Sequence, residues 1–593
     1  MLKKISVVIV SFYLFASSVF ASGSNVVVDV NNALLSIIIN TSASLVDGPP
    51  EVAREIALIN GAMFDAVNAA SNSPYRSIVY NGGSVLGADP NAAALQAALT
   101  VMNNLYGSSS LYQQYKGVTG ATFYPSIPGY AEALVGPTTV QMAEVARQID
   151  LIRAELTALN PNSASLSLGT AVGKAMLRHA ERDGGYAASL QTLTPFTLPN
   201  AGNPGVYVPP SNRPAMTPTW GKVVPLGIDR EALFELVETI PVADSAVTAK
   251  LTSQEYASEV LKTECQGTSG GLPSNVASAC SAAGFLASNG AQAQAALFWN
   301  DPGGSLQPPG HWLQIADTIA LQKGLSLLQT ARTTAAVGLA LHSAGIGAWA
   351  IKYRDLAWRP MTAIQFSFFW NNFFTTADSN WKSLIVIPPH PDYLAGHPAF
   401  SGASATALAA IIGTDSVTFS STSTTYCNGG TTLRNSRGNV TSCVLNGVTY
   451  SIPTFCIGGA TSTYDGDPVS PVLIGCMLNG VAQSITGGGC NNAGSQAVVN
   501  SDYTANSLYN GSPLVCVIAE TYPSLSQAAG GYLGAEFSRV AGGIHTFDAT
   551  KQALRLGNEI GNCIVSVFDF SQGCNGHKHL CCTCRELSSK ACH

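Results

Sequence analysis

Pro388-Pro389-His390-Pro391-Asp392-Tyr393-Leu394-Ala395-Gly396-His397-Pro398-Ala399-Phe400-Ser401-Gly402 is the polar island around which this chain is organised. Two further islands flank it. Upstream lies Lys352-Tyr353-Arg354-Asp355-Leu356-Ala357-Trp358-Arg359-Pro360, and downstream Ser538-Arg539-Val540-Ala541-Gly542-Gly543-Ile544-His545-Thr546-Phe547-Asp548. Together they supply Lys352, Arg359 and Arg539 as fixed cations, with His397 and His545, in a chain only 11% charged. An arginine can fork onto two oxygens of an oxyanion, and lysine adds a compact point charge. Gly396 lets a backbone N–H approach an oxygen closely. Two histidines can divide labour, one bonding to the central atom and one moving protons. A lone histidine or Arg-Pro pair is usually structural; the ordered triple carries the weight.

Composition frames that site. The 593 residues are 46% hydrophobic, enough for a large core, and 29 Lys plus Arg against 35 Asp plus Glu give no basic stripe for nucleic acid. Residues 1–21 read as a secretory signal: Lys3 and Lys4, the apolar run Ile5 to Phe15, and cleavage after Ala21. No later uninterrupted apolar stretch of spanning length is apparent, so a secreted or periplasmic protein with no integral membrane segment after signal cleavage is expected. Fourteen cysteines fit an oxidising compartment. Cys265 and Cys280 are spaced to close a local loop, and Cys563 and Cys574 form another candidate pair.

Periodicity predicts a mainly α chain. Helices are expected over 51–72, 90–106, 138–159 and 168–182, in an N-terminal helical region spanning 22–220, with a Pro-rich connector near 195–218. A second helical region covers 221–413 and 516–570. Within it 316–343 has helical periodicity with few charges, and 403–412 and 545–567 are further helices. Residues 414–515 change texture, rich in Ser, Thr, Gly, Asn and Cys with short alternating runs. They read as a disulfide-stapled β/loop insertion carrying Cys427, Cys443, Cys456, Cys476, Cys490 and Cys516. Residues 571–593 form a Cys-rich tail.

The triple resembles the signature shared by vanadium-dependent haloperoxidases and type-2 phosphatidic acid phosphatases: Lys352, six residues, Arg359-Pro360; then a Ser-Gly-His block; then Ser538-Arg539, five residues, His545. Ala395 stands where that pattern has serine. Phe298-Trp299-Asn300-Asp301, Pro308-Pro309-Gly310-His311-Trp312 and Ala53-Arg54-Glu55-Ile56-Ala57-Leu58 resemble the bacterial haloperoxidases in particular. The likeness covers most of the chain outside the insertion and tail. It implies a helix-bundle fold and a vanadate cofactor with His545 as axial ligand. Lys352, Arg359, Arg539 and the Gly396 N–H would hold oxygens around it, beside Ala395. His397 would be the acid/base for hydrogen peroxide, and Asp301 would pair with the second arginine. Trp349 and His390 would flank the halide, with His390 on the bromide side. Asp548, three residues past His545, would orient the imidazole, because i and i+3 share a helix face. The implied reaction oxidises halide with hydrogen peroxide to hypohalous acid, acting on halide or a small organic substrate. A soluble acid phosphatase with a phosphohistidine intermediate, and a non-catalytic relative, are the alternatives; the oligomeric state, homo-oligomer or monomer, stays open.

Overall fold

The structure is a computed structural model. It describes residues 25–568 except 43–47, 108–138, 192–195, 210–214, 269–270, 286–291, 293–294, 297, 367–371, 373, 376 and, within 425–515, everything outside short strands. Residues 1–21, expected as a signal, lie outside the described residues, as do Cys574 and the Cys-rich tail.

One hydrophobic core runs from Val26 to Phe568 through both helical regions. Its axis is the helix Leu327–Asp355. Ser326 opens it with a capping box, its hydroxyl accepting from the Gln329 N–H while the Gln329 side chain accepts from the Ser326 N–H. The expected continuous pattern over 316–343 is in fact two helices, Gln307–Gln322 and this one, broken at Lys323–Ser326 where Gly324 takes a positive φ of 60°. The Leu327–Asp355 helix is long and apolar enough to cross a membrane, although no such stretch was apparent in the sequence. It is enclosed by other helices, as an all-round apolar core helix must be.

The helices Pro49–Ala70, Pro90–Tyr106, Thr139–Ala158 and Ser163–Ala180 lie close to their predicted spans. Val26–Thr41 is a buried helix that the Val- and Ile-rich sequence did not announce; Asn25 caps it by accepting from the Val27 N–H at 3.2 Å. Disulfide Cys265–Cys280 forms as expected, and Cys563 is disulfide-bonded.

Two helices set the site. Gly396–Ile412 and Phe547–Val565 cross with their backbones nearly touching, because a Cβ on Gly557 would meet the Ala399 carbonyl at 2.4 Å and one on Gly561 the Ala403 carbonyl at 2.6 Å. Their starts also meet, the Ala395 N–H donating to the Ala549 carbonyl at 3.1 Å, so the two positive dipole ends lie near one another.

The insertion is β-rich as predicted. Its base is the antiparallel pair Phe419–Thr424 and Cys516–Tyr522, registered Phe419 to Tyr522 and Ser421 to Glu520. This pair belongs to a five-stranded sheet accompanied by two three-stranded ones. Pairing through Tyr522 extends the insertion past its expected end at 515.

Candidate active site

Each polar group sits at an element terminus. Lys352 occupies the last turn of Leu327–Asp355, Arg359 is the N-cap of Pro360–Gln365, and Arg539 lies in the last turn of Ala535–Ala541. Gly396 opens its helix, and His545 immediately precedes Thr546, the N-cap of Phe547–Val565. All three cations are buried, with relative exposure of 0 to 1%.

Burying three cations costs several kcal/mol each unless they are partnered. Carbonyls, a serine hydroxyl and histidine nitrogens supply the partners. Lys352 Nζ donates to the Pro391 and Asp392 carbonyls at 2.7 and 3.1 Å. Arg359 Nε donates to His390 O at 2.8 Å and Nη1 to Ile544 O at 2.7 Å, while Nη2 meets His390 Nδ1 at 3.0 Å. Arg539 Nε donates to Ser538 Oγ at 3.0 Å and Nη2 to Ala296 O at 3.0 Å. Burial still pulls Arg359 down to about 10 and Arg539 to about 9, and holds the Lys352 ammonium well below its ordinary range. The wall is electrostatically starved of negative charge.

His545 is set by Asp392. Its Nδ1 lies 2.5 Å from Asp392 Oδ1, and Thr546 Oγ1 donates to Oδ2 at 3.1 Å. That carboxylate accepts from Nδ1–H and so places the ring's lone pair on Nε2, as a carboxylate behind a ligating histidine does. Arg359 Nη1 meets this lone pair at 3.1 Å. Burial first, then Arg359 and Lys352, push the imidazole well below its usual pKa, so it is neutral at pH 7.

Asp392 was not among the expected site residues. Asp548, which was, does not serve His545: its N–H donates to Glu259 at 3.0 Å and its carboxylate accepts from Gln552 at 3.3 Å. The i,i+3 argument fails because His545 precedes the helix and lacks helical geometry. Asp301 also departs from expectation. It raises the pKa of Arg539 through space, but its hydrogen bonds go to His311 Nδ1 at 3.0 Å and Ser423 Oγ at 3.4 Å. His311 had been noted only within a motif.

The remaining residues converge. Trp349 lies 5.0 Å from the His390 ring, and its indole would sit 3.3 Å from a Cβ on Gly396. His397 is hydrogen-bonded by the Asn300 main chain, and burial followed by Arg539 drives its pKa well down. Among the described residues of the site, two buried side-chain atoms lack a partner, Arg539 Nη1 and His397 Nε2. An unmet buried polar group costs about 1–3 kcal/mol, and the Gly396 N–H has no intrahelical acceptor by position. A tetrahedral oxyanion fits this set: a neutral His545 Nε2 to bond it, orphaned donors to hold it, and a cationic wall to neutralise it.

Ala395 is fully buried and caps its helix without a side-chain hydrogen bond. Ala395→Ser should gain about 1 kcal/mol of stability by capping. It should also tighten oxyanion binding roughly 10- to 100-fold, from about 1.5–3 kcal/mol for a hydrogen bond to a charged group. Thermal unfolding and anion titration of the variant check both.

Burial raises the Asp392 carboxyl to about 6, with Arg359 and Lys352 opposing. A raised acid binds its proton more tightly in the folded state, so the empty protein gains stability from this group as pH falls through about 6. The site behaves oppositely: protonated Asp392 no longer accepts from His545 Nδ1, so oxyanion affinity should fall below pH 6. Titrations between pH 5 and 8 test this.

Fold and site together define a helix-bundle protein with a buried cluster of three cations around His545 and His390. Residues 332–442 match the family model of the VCPO second helical-bundle domain. A bacterial vanadium-dependent iodoperoxidase is similar in structure, with TM-score 0.54, 18% identity, and coverage of 91% of this chain and 95% of that one. A holo-type bacterial vanadium-dependent chloroperoxidase gives TM-score 0.50, 14% identity, and coverage of 88% and 92%. No curated protein matches the chain. The fold of this chain is that of the vanadium haloperoxidase family.

Proposed function

We propose that the chain is a secreted or periplasmic vanadate-dependent haloperoxidase, oxidising bromide more readily than chloride with hydrogen peroxide. The observation that carries the reading is the neutral His545, its Nε2 lone pair set by Asp392, in a buried cluster with an unpaired donor on Arg539 and an unpaired acceptor on His397. Vanadate, when bound, supplies a Lewis-acidic centre that activates peroxide toward halide. The chain's own work is to hold that group through His545 Nε2, Lys352, Arg359, Arg539 and the Gly396 N–H. His397 Nε2, unprotonated at neutral pH because of burial and Arg539, takes a proton from hydrogen peroxide. The fixed cations disperse negative charge without reorganising. Trp349 and His390 form the wall for the halide.

The phosphatase reading draws on the same neutral His545, which is also placed to attack phosphorus. Protein freed of vanadium, then given orthovanadate, should brominate an activated diketone with peroxide and bromide, and act on iodide as well. Brisk cleavage of p-nitrophenyl phosphate with no halogenation would replace this reading with the phosphatase.

Export is supported by the Cys265–Cys280 disulfide. The exported protein should begin at Ser22, which N-terminal sequencing of secreted material decides; a chain starting at Met1 would contradict it.

A further inference from the structure

Asp301 is held on both oxygens, and one holder comes from the insertion. The inward face of the strand Phe419–Thr424 presents Phe419, Ser421 and Ser423, all buried, at the period-2 spacing of a strand. Ser421 Oγ lies 2.9 Å from His311 Nε2, and His311 Nδ1 lies 3.0 Å from Asp301 Oδ2. Ser423 Oγ donates to Asp301 Oδ1 at 3.4 Å. On the partner strand Tyr522 accepts from Trp299 Nε1 at 2.9 Å and donates to the Leu533 carbonyl at 3.0 Å.

The same short stretch of chain serves both residues with an unpaired site atom, Arg539 and His397. The Ala296 carbonyl anchors Arg539 Nη2, the Asn300 main chain bonds the His397 ring, and the Asp301 charge acts on Arg539. The insertion's base is thus fastened to the stretch that aims Arg539 and His397. The geometry points to Ser421, His311 and Ser423 as positioning residues for the oxyanion site, with the insertion's first strand as a working part of it. This inference rests on the oxyanion reading above.

The physical reason is competition. Asp301, pinned by His311 and Ser423, stays back from Arg539 and leaves Nη1 free for an oxyanion. Ser421 accounts for the far side of His311: with Nδ1–H donating to Asp301, Nε2 faces the serine hydroxyl, which also lies 3.3 Å from Gln314 Oε1, and this contact fixes ring and tautomer. Released, Asp301 turns toward Arg539 Nη1 and takes the donor the ligand needs.

Calorimetric titration with orthovanadate and with orthophosphate tests this on the full chain, independently of turnover. Ser421→Ala should weaken both anions about tenfold, Ser421→Thr should restore affinity to within about twofold, and Ser420→Ala, on the outward face, should change nothing. Ser423→Ala provides the second variant should Ser421→Ala fold poorly, with the same expected loss. Unchanged affinity in a folded Ser421→Ala or Ser423→Ala protein overturns the inference. An equal loss in Ser420→Ala also overturns it, since the strand as a whole would then be responsible. A wild-type protein that binds neither anion overturns the oxyanion reading itself.

Discussion

His545→Ala should lose orthovanadate affinity by roughly a thousandfold, about 4 kcal/mol, and all activity with it. The reason is chemical: His545 Nε2 carries a lone pair that the carboxylate on its other nitrogen sets for bonding, once Arg359 Nη1 gives way, whereas the cations bind an anion only by charge and hydrogen bonds. The variant should still fold. Asp392 keeps the Thr546 hydroxyl at 3.1 Å, and Arg359 keeps its bonds to the His390 and Ile544 carbonyls. Loss of the imidazole's hydrogen bonds should cost about 1–3 kcal/mol of stability, visible as a modest fall in Tm. An unchanged halogenation or hydrolysis rate would remove His545 from the site.

Asp392→Asn and Asp548→Asn form the second contrast. The asparagine at 392 can present an N–H where a proton acceptor is needed, so the imidazole loses its tautomeric bias, and affinity and turnover should fall roughly 10- to 100-fold. The acid limb near pH 6 should disappear with the carboxyl. Asp548→Asn should leave both within about twofold, because that side chain bonds Gln552 in the first turn of its own helix. Parallel pH–rate profiles of the two variants make the comparison; an effect at Asp548 equal to that at Asp392 would restore the expectation drawn from spacing alone.

The site was legible where chemistry and order coincide. Lys352, Arg359, Arg539, Gly396, His397 and His545 stand out in a sparsely charged chain, and the fold gathers them at the ends of its helices. Asp392 lay within the stretch first singled out and was still missed. Its partner is 153 positions away, and a sequence shows neither long-range pairing nor which carboxylate a buried imidazole selects. Asp548 misled because helical spacing was applied to a residue in the approach to a helix. Asp301 acts on Arg539 through charge and not as its hydrogen-bonded partner, and nothing in a Ser/Thr-rich run reveals that its inward serines face that aspartate and a buried histidine. Val26–Thr41 shows the same limit for the fold: β-branched propensity pointed away from helix, and packing against the core decided.

Calorimetric titration of metal-free protein with orthovanadate at pH 7.5, wild type beside His545→Ala, tests the central claim most directly. The account predicts one tight site per chain in the wild type and its loss in the variant. Equal affinity in the two proteins, or no binding to the wild type, would contradict it.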